Sequence, residues 1–93
     1  MHAVVVTVEI DTGRTDEAIR LLNTFTVPTV KQAPGFVSGT WVRSVDGAHG
    51  QSLILFESED AANAGARRAA EGPPPGAPVR FLSADVFEVL ARA

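Results

Sequence analysis

The 93-residue chain has no cysteine and no tyrosine, one tryptophan, one methionine and two histidines. Each scarcity removes a class of explanation. Without cysteine there is no disulfide to staple a small fold, no thiolate nucleophile and no cysteine-based metal site. His2 and His49 lie far apart in the sequence, so no zinc-type ligand spacing is present and no metal is expected. Positive charge is also in short supply: eight Lys and Arg against eleven Asp and Glu give a formal net charge of −3, with a pI near 5.2. That balance excludes the basic footprint of a nucleic-acid-binding protein. Arg67-Arg68 is the one adjacent basic pair and reads as the solvated face of a helix. No apolar run reaches the ~18 residues of a membrane span. The N-terminus lacks a charged region followed by an apolar core and cleavage site, so the chain is expected to be cytoplasmic, with neither membrane nor nucleic acid as a partner. Phosphate-binding glycine loops and nucleophile–base pairs are missing too. The Asp-Thr-Gly tripeptide at 11–13 matches the aspartic protease signature but reads here as a strand-to-helix turn.

Apolar residues, by contrast, are plentiful, at 45% of a chain that fits a single domain over residues 1–93. A domain of this size buries only about 60–65% of the surface its unfolded chain exposes. The surplus points to a partner surface, and self-association supplies one most simply.

The β-branched run Ala3–Ile10 predicts a strand. Thr15 is the expected N-cap of a first helix, with Asp16 and Glu17 at the positive end of its dipole. Ala18, Ile19, Leu21, Leu22, Phe25 and Val30 make its apolar stripe. Pro28 cannot donate to the Thr24 carbonyl, so the helix should kink or restart around Thr26. Pro34-Gly35 ends it, with Gly35 free to take a positive φ. A second strand over 36–44, a turn built on Asp46-Gly47 and a third strand over 52–57 form a hairpin. Ser58 caps a second helix over 59–71 that turns only alanine and glycine toward its core side, so it can lie close to whatever it covers. The stiff connector Gly72–Pro78 leads to a last strand over 79–93.

The order β-α-β-β-α-β is the ferredoxin-like split βαβ pattern, an α+β fold with both helices on one face of an antiparallel sheet. The other face should be polar if it met water. It is not. Val4, Val6, Val8 and Ile10 oppose Ala3 and Val5; Ile54 and Phe56 oppose Leu53 and Leu55; Phe81, Phe87 and Val89 oppose Leu82, Val86 and Leu90. A sheet apolar on both faces, with helices for one, implies a homodimer whose sheets pack face to face.

The element order, "QAPGFVSGTW" after the first helix, "ILFESEDAA" leading into the second and the closing "VFEVLARA" resemble the antibiotic biosynthesis monooxygenase family of the dimeric α/β-barrel superfamily. The similarity covers nearly the whole chain and rests on structural motifs. It implies two ferredoxin-like subunits closing a shared barrel, each with a pocket between helices and sheet for a small aromatic or polyketide-like molecule. Activities in the family include cofactor-independent oxygenation of polyketide aromatics and haem degradation; lactone isomerases and polyketide cyclases share the fold. An oxygenase of this kind would need neither metal nor flavin. The resemblance further implies that an asparagine, a tryptophan and a tyrosine serve the quinol-oxidising branch, and that an axial histidine on the second helix serves the haem-degrading branch. This chain has no tyrosine, and no histidine between Glu59 and Glu71.

The candidate site residues are therefore Trp41, Asn23 and Arg43. Trp41 is either an aromatic wall for a flat substrate or packing in a sheet or interface. Gly39, two residues earlier on the same face, leaves a gap beside the indole. Asn23 on the first helix would donate a hydrogen bond to a substrate oxygen, or else face solvent, as Asn63 on the second helix would. Arg43 would bind an anionic or phenolate oxygen; its alternative, shared with Asp85 and Glu88, is an ion pair at the barrel rim or subunit boundary. His2 and His49 are the available general bases near neutral pH. A non-catalytic ligand carrier or interaction protein of the same fold, or an isomerase or cyclase, is the competing reading.

Overall fold

The β-branched N-terminal run forms the central strand β1 (His2–Ile10). Its neighbours are β3 (His49–Phe56) and β4 (Val79–Glu88), and β2 (Phe36–Arg43) flanks β3, giving the antiparallel order β2-β3-β1-β4. The computed structural model describes every residue, Met1–Ala93. The fold is the expected ferredoxin-like α+β arrangement.

The first helical segment runs in three pieces. A 3-10 turn (Thr12–Arg14) comes first, then α1 (Thr15–Leu21), a π turn (Leu22–Thr26) and α2 (Val27–Lys31). Thr15 is not the N-cap; it is already helical, and the Asp11 carboxylate instead accepts the Gly13 N–H at 3.0 Å. The 3-10 turn starts the helical segment four residues early, at Asp11, which sequence spacing alone does not reveal. Where Pro28 withholds an N–H, the helix opens by one residue per turn. The Val27 N–H bonds the Leu22 carbonyl, five residues back. The side chains of Asn23 and Thr24 donate to the carbonyls of Ile19 and Arg20, at 3.0 and 2.7 Å. After Lys31, Gly35 turns the chain at φ 78°, and its carbonyl accepts the Glu57 N–H at 2.8 Å.

The second long helix, α3 (Glu59–Ala70), is capped by Ser58, whose hydroxyl accepts the Ala61 N–H at 3.1 Å. It packs on β1 and β4. An added Cβ at Gly65 would lie 2.7 Å from Phe56 Cζ, so helix and sheet are in direct contact there. Ala62, facing the same way, is completely buried. The core is the small cluster Val4, Val6, Ile54, Phe56 and Ala62.

Registers fix the two faces of the sheet. Trp41 pairs with Ser52, which pairs with Val6; Gly39 pairs with Ile54, which pairs with Val4; Arg43 pairs with Gly50, which pairs with Val8. These positions share the helix-covered face. Bulges interrupt β2 between Phe36 and Ser38, and β4 around Leu82. The second bulge corrects a sequence expectation: Phe81 pairs with Val8 and Val86 with Val4, so both face the helices, whereas Phe87, paired with Ala3, faces the other way. Strict alternation fails because one extra residue inverts every side chain beyond it. The last strand also ends at Glu88 rather than continuing to Ala93; only the Val89 N–H, bonded to the Met1 carbonyl, extends the pairing.

On the outer face Val42, Leu53, Leu82 and Phe87 are exposed, at 40–56% of their full surface. No helix is long and apolar enough to cross a membrane.

Candidate functional site

Because α3 lies mainly against β1 and β4 and meets β3 at Phe56, the space over β2 and the rest of β3 is left to the first helical segment. That segment approaches the sheet chiefly through α2, at β2. Ile19 and Phe25 remain about half exposed, at 46% and 48%, rather than sinking into the core. Between segment and sheet lies a cavity of about 700 Å³, the size range of small-molecule sites.

The floor is the helix-covered face of the sheet: Val4, Val6, Val8, Ile54, Trp41 and Phe81. The roof is Ala18, Ile19, Leu22, Phe25, Thr26 and Val30. Polar atoms are few. Ser52 sits beside Trp41 in the sheet, and Thr26 and Thr29 contribute from the roof. Arg43 at the end of β2, with Arg68 and Glu71 at the end of α3, closes one end.

Trp41 carries an anomaly. Its Nε1 is fully buried with no hydrogen-bond acceptor, although a buried unsatisfied donor costs about 1–3 kcal/mol. The indole six-membered ring lies over Gly39, where an added Cβ would come within 2.6 Å of Cη2. Gly39 is thus the slot into which the ring folds.

The structure brings Trp41 and Arg43 together on this cavity, two residues apart on one strand face. It does not bring Asn23 there. That amide is occupied with the Ile19 carbonyl on the exposed side of the π turn. Asp85 points to the outer face, paired with Val5, and Glu88 lies at the far end of the sheet beside His2. Arg43, Asp85 and Glu88 form no ion pair within the chain. His2 Nε2 lies 3.4 Å from Glu59 Oε2, and its Nδ1 is buried without a partner. His49 is exposed at the start of β3. Neither histidine lines the cavity.

Two exposed carboxylates depart from their ordinary titration, both outside the cavity. The Glu17 carboxyl is held low first by its hydrogen bond from Arg14 and then by that guanidinium's charge. Arg14 also donates to the Gly76 carbonyl at 2.8 Å, tying the start of the first helix to the connector before β4. Asp46 is held low by the Ser44 hydroxyl and then by the Ala48 N–H, which together fix the β2–β3 hairpin.

Sequence reasoning missed Ser52 and Arg68. Ser52 was within reach: once Asp46-Gly47 is taken as the hairpin turn, counting outward places Ser52 opposite Trp41. Arg68 had no such signal, since which face of α3 meets the cavity depends on how far the other helix stands off.

No group of three His, Asp or Glu side chains gathers anywhere in the fold to hold a metal ion. Nor does the cavity offer a histidine, tyrosine or methionine to a haem iron.

Comparisons with known proteins agree with this architecture. The sequence model of a family described as antibiotic biosynthesis monooxygenase matches residues 1–69. No curated protein matches the chain. Among solved structures, the heme-degrader MhuD of Mycobacterium tuberculosis, with two hemes bound in its active site, superposes with a TM-score of 0.69 at 22% identity, over 100% of this chain and 99% of that one. A monooxygenase from the gene ActVA-Orf6 of Streptomyces coelicolor, in complex with nanaomycin D, gives 0.62 at 22%, over 99% and 89%. SnoaB, a cofactor-independent oxygenase from Streptomyces nogalater, gives 0.64 at 18%, over 98% and 95%. At such identities these likenesses establish the fold alone.

Proposed function

From the premise that the chain belongs to the antibiotic biosynthesis monooxygenase family, we propose that it is a cytoplasmic homodimer that binds a small aromatic or polyketide-like molecule in the cavity beneath the first helical segment and oxygenates it without metal or flavin. The observation that carries this reading is the cavity itself: about 700 Å³, walled by aliphatic and aromatic side chains, with an indole N–H left unsatisfied in its floor. Trp41 would form the wall on which a flat ring lies. Its N–H is shielded in this conformation, so a ligand acceptor would reach it with a small movement of the roof. Arg43 would stabilise an anionic form of the substrate, the electron-rich species that reacts directly with oxygen. Apolar walls would exclude water and strengthen that charge interaction. Asn23, bonded into its own helix, would shape the roof rather than touch substrate. The outer face, with Val42, Leu53 and Phe87 exposed, would pack against a second copy.

One observation favours a non-catalytic carrier instead. Glu71, at the rim, is the only carboxylate lining the cavity, and no histidine joins it, so no buried general base is present. Oxygen uptake with a panel of reduced quinols separates the readings. Turnover that Trp41→Phe slows at least tenfold supports the oxygenase. Saturable binding without oxygen consumption supports the carrier, and product without oxygen consumption an isomerase or cyclase. Native mass spectrometry tests the dimer: a monomer at micromolar concentration would sink the face-to-face packing.

A further inference from the structure

Resting on that reading of the cavity, we infer that its ligand is an amphipathic anion, oriented with the apolar body inward and its charged group at the rim between Arg43 and Arg68. Arg43 sits on the helix-covered face of β2, the side of the sheet that is otherwise apolar at this end, with Trp41 two residues inward and Gly50 and Val8 as lateral neighbours. Its side chain is exposed, so the charge stays hydrated and free to meet a ligand. Arg43 makes no side-chain hydrogen bond and no ion pair within the chain, and neither does Arg68, which faces the same cavity from the last turn of α3.

Arg68 has a second role available, since a cation in the last turn offsets the helix dipole. Arg43, on a strand, has none. The arginines that do have structural duties are engaged: Arg14 with Glu17 and Gly76, Arg80 with Glu9 at 3.2 Å. Glu71 is the one opposing charge on the rim; it is exposed and unpaired, and with two guanidiniums the rim keeps a net positive sign. In a chain whose net charge is −3, a positive rim on an apolar cavity is a local inversion. Such a mouth draws anions in preference to neutral molecules. Guanidiniums also match a planar or tetrahedral oxyanion by paired hydrogen bonds.

The geometry sets an orientation as well. Trp41 and Arg43 are two residues apart, which spaces their backbone positions about 7 Å along the strand, with Arg43 on the rim side. A carboxylate, sulfonate or phosphate at the rim therefore leaves the far end of the ligand beside Trp41, Ser52 and the apolar interior.

A matched pair of dyes tests this. N-phenyl-1-naphthylamine and 8-anilino-1-naphthalenesulfonate share one apolar body and differ by the sulfonate. Trp41 is the sole tryptophan, so energy transfer from it reports binding. In the wild-type protein both dyes should bind saturably. Arg43→Gln and Arg68→Gln, both at exposed side chains without intramolecular bonds, should each weaken the sulfonate at least about fivefold and leave the neutral dye within twofold. Arg43→Lys should recover part of the loss. Ser52→Phe, which fills the space beside Trp41, should remove both dyes; Ala18→Phe does the same from the roof if the first variant misfolds. Sulfonate binding that survives the glutamine variants overturns the anion inference while leaving the cavity intact. Loss of both dyes equally in those variants overturns it as well. Failure of both dyes to bind the wild-type protein overturns the cavity reading beneath it, and sulfonate that persists on a folded Ser52→Phe places the dye on the outer face and overturns the assignment.

Discussion

The two helical segments of this protein cover the same sheet in opposite ways. α3 presents Ala62 and Gly65 and settles onto β1 and β4 so closely that Phe56 occupies the space a Gly65 side chain would need. The segment over 15–31 presents Ile19, Leu22 and Phe25, is broken by a π turn, and meets the sheet chiefly at its end. Small side chains bring a helix axis down to its neighbour, and large ones around a break hold it off. The cavity is the difference between the two. Core and site are therefore built from the same sheet face, and the choice between them at each point is made by side-chain volume on the helix above.

Filling the close contact should give the largest effect. Gly65→Leu places a branched side chain where even a Cβ comes within 2.7 Å of the Phe56 ring, and Phe56 is only 2% exposed and cannot swing away. Leucine gains some helix propensity over glycine, but overpacking of this kind costs about 1–3 kcal/mol. Urea denaturation at fixed protein concentration should show the loss. A variant as stable as the wild type would mean that α3 is not seated as closely as the geometry states.

The same comparison explains what the sequence made legible. The alanine-glycine face of α3, its Ser58 cap, the Pro34-Gly35 turn and the Asp46-Gly47 hairpin are local, and each followed from residue chemistry. The two-sided apolar character of β1 and β3 followed from simple alternation. What lay hidden was decided by fit between distant parts. The bulge around Leu82 exists because β4 must register with β1 on both sides of it, and nothing in "RFLSADV" marks the extra residue. Pro28 announced a break, but not that the break would be a π turn whose Asn23 and Thr24 side chains bond back to the carbonyls of Ile19 and Arg20 in α1. Asn23 read as a site residue because its type suits the chemistry. Its partner turned out to be four residues away on its own helix.

Mending the break is the next perturbation in size. Pro28→Ala returns an N–H that can reach the Thr24 carbonyl, so the π turn should tighten toward regular α-helix. Any change in stability should stay within about 1 kcal/mol, because proline is tolerated near the first turn of α2 where it now stands. Ligand affinity should change far more, since Phe25 and Thr26 on the roof would rotate relative to Trp41. A several-fold change in naphthylamine affinity with little change in denaturation midpoint is the expected pattern; unchanged affinity would mean that the π turn does not shape the cavity. Asn23→Ala is smaller still. It removes one exposed hydrogen bond worth about 0.5 kcal/mol and should leave dye binding within twofold. A tenfold loss would put Asn23 in the site after all.

Acid should separate the two helices most subtly. Both carry carboxylates in the first turn, Asp16 and Glu17 on one, Glu59 and Asp60 on the other, so weakening of dipole interactions on protonation is common to both. What differs is Glu17, whose carboxyl is held below its ordinary range by Arg14, the residue that also grips the Gly76 carbonyl. A carboxyl whose pKa is depressed in the folded state contributes stability above its unfolded value and loses that contribution as pH falls through the folded one. Asp46 follows the same rule but fixes the hairpin and touches neither helix. Lowering the pH from neutral through the carboxylate range should therefore reduce amide protection over 15–21 more than over 59–70, once intrinsic exchange rates are divided out. The effect should be small, because both side chains are open to water, and salt should shrink it. Glu17→Gln should remove the excess acid-induced loss over 15–21, because it removes the titrating group. Equal loss of protection in both helices would show that the Arg14 tie does not hold the first helix in place, leaving packing at α2 as its main anchor to the sheet.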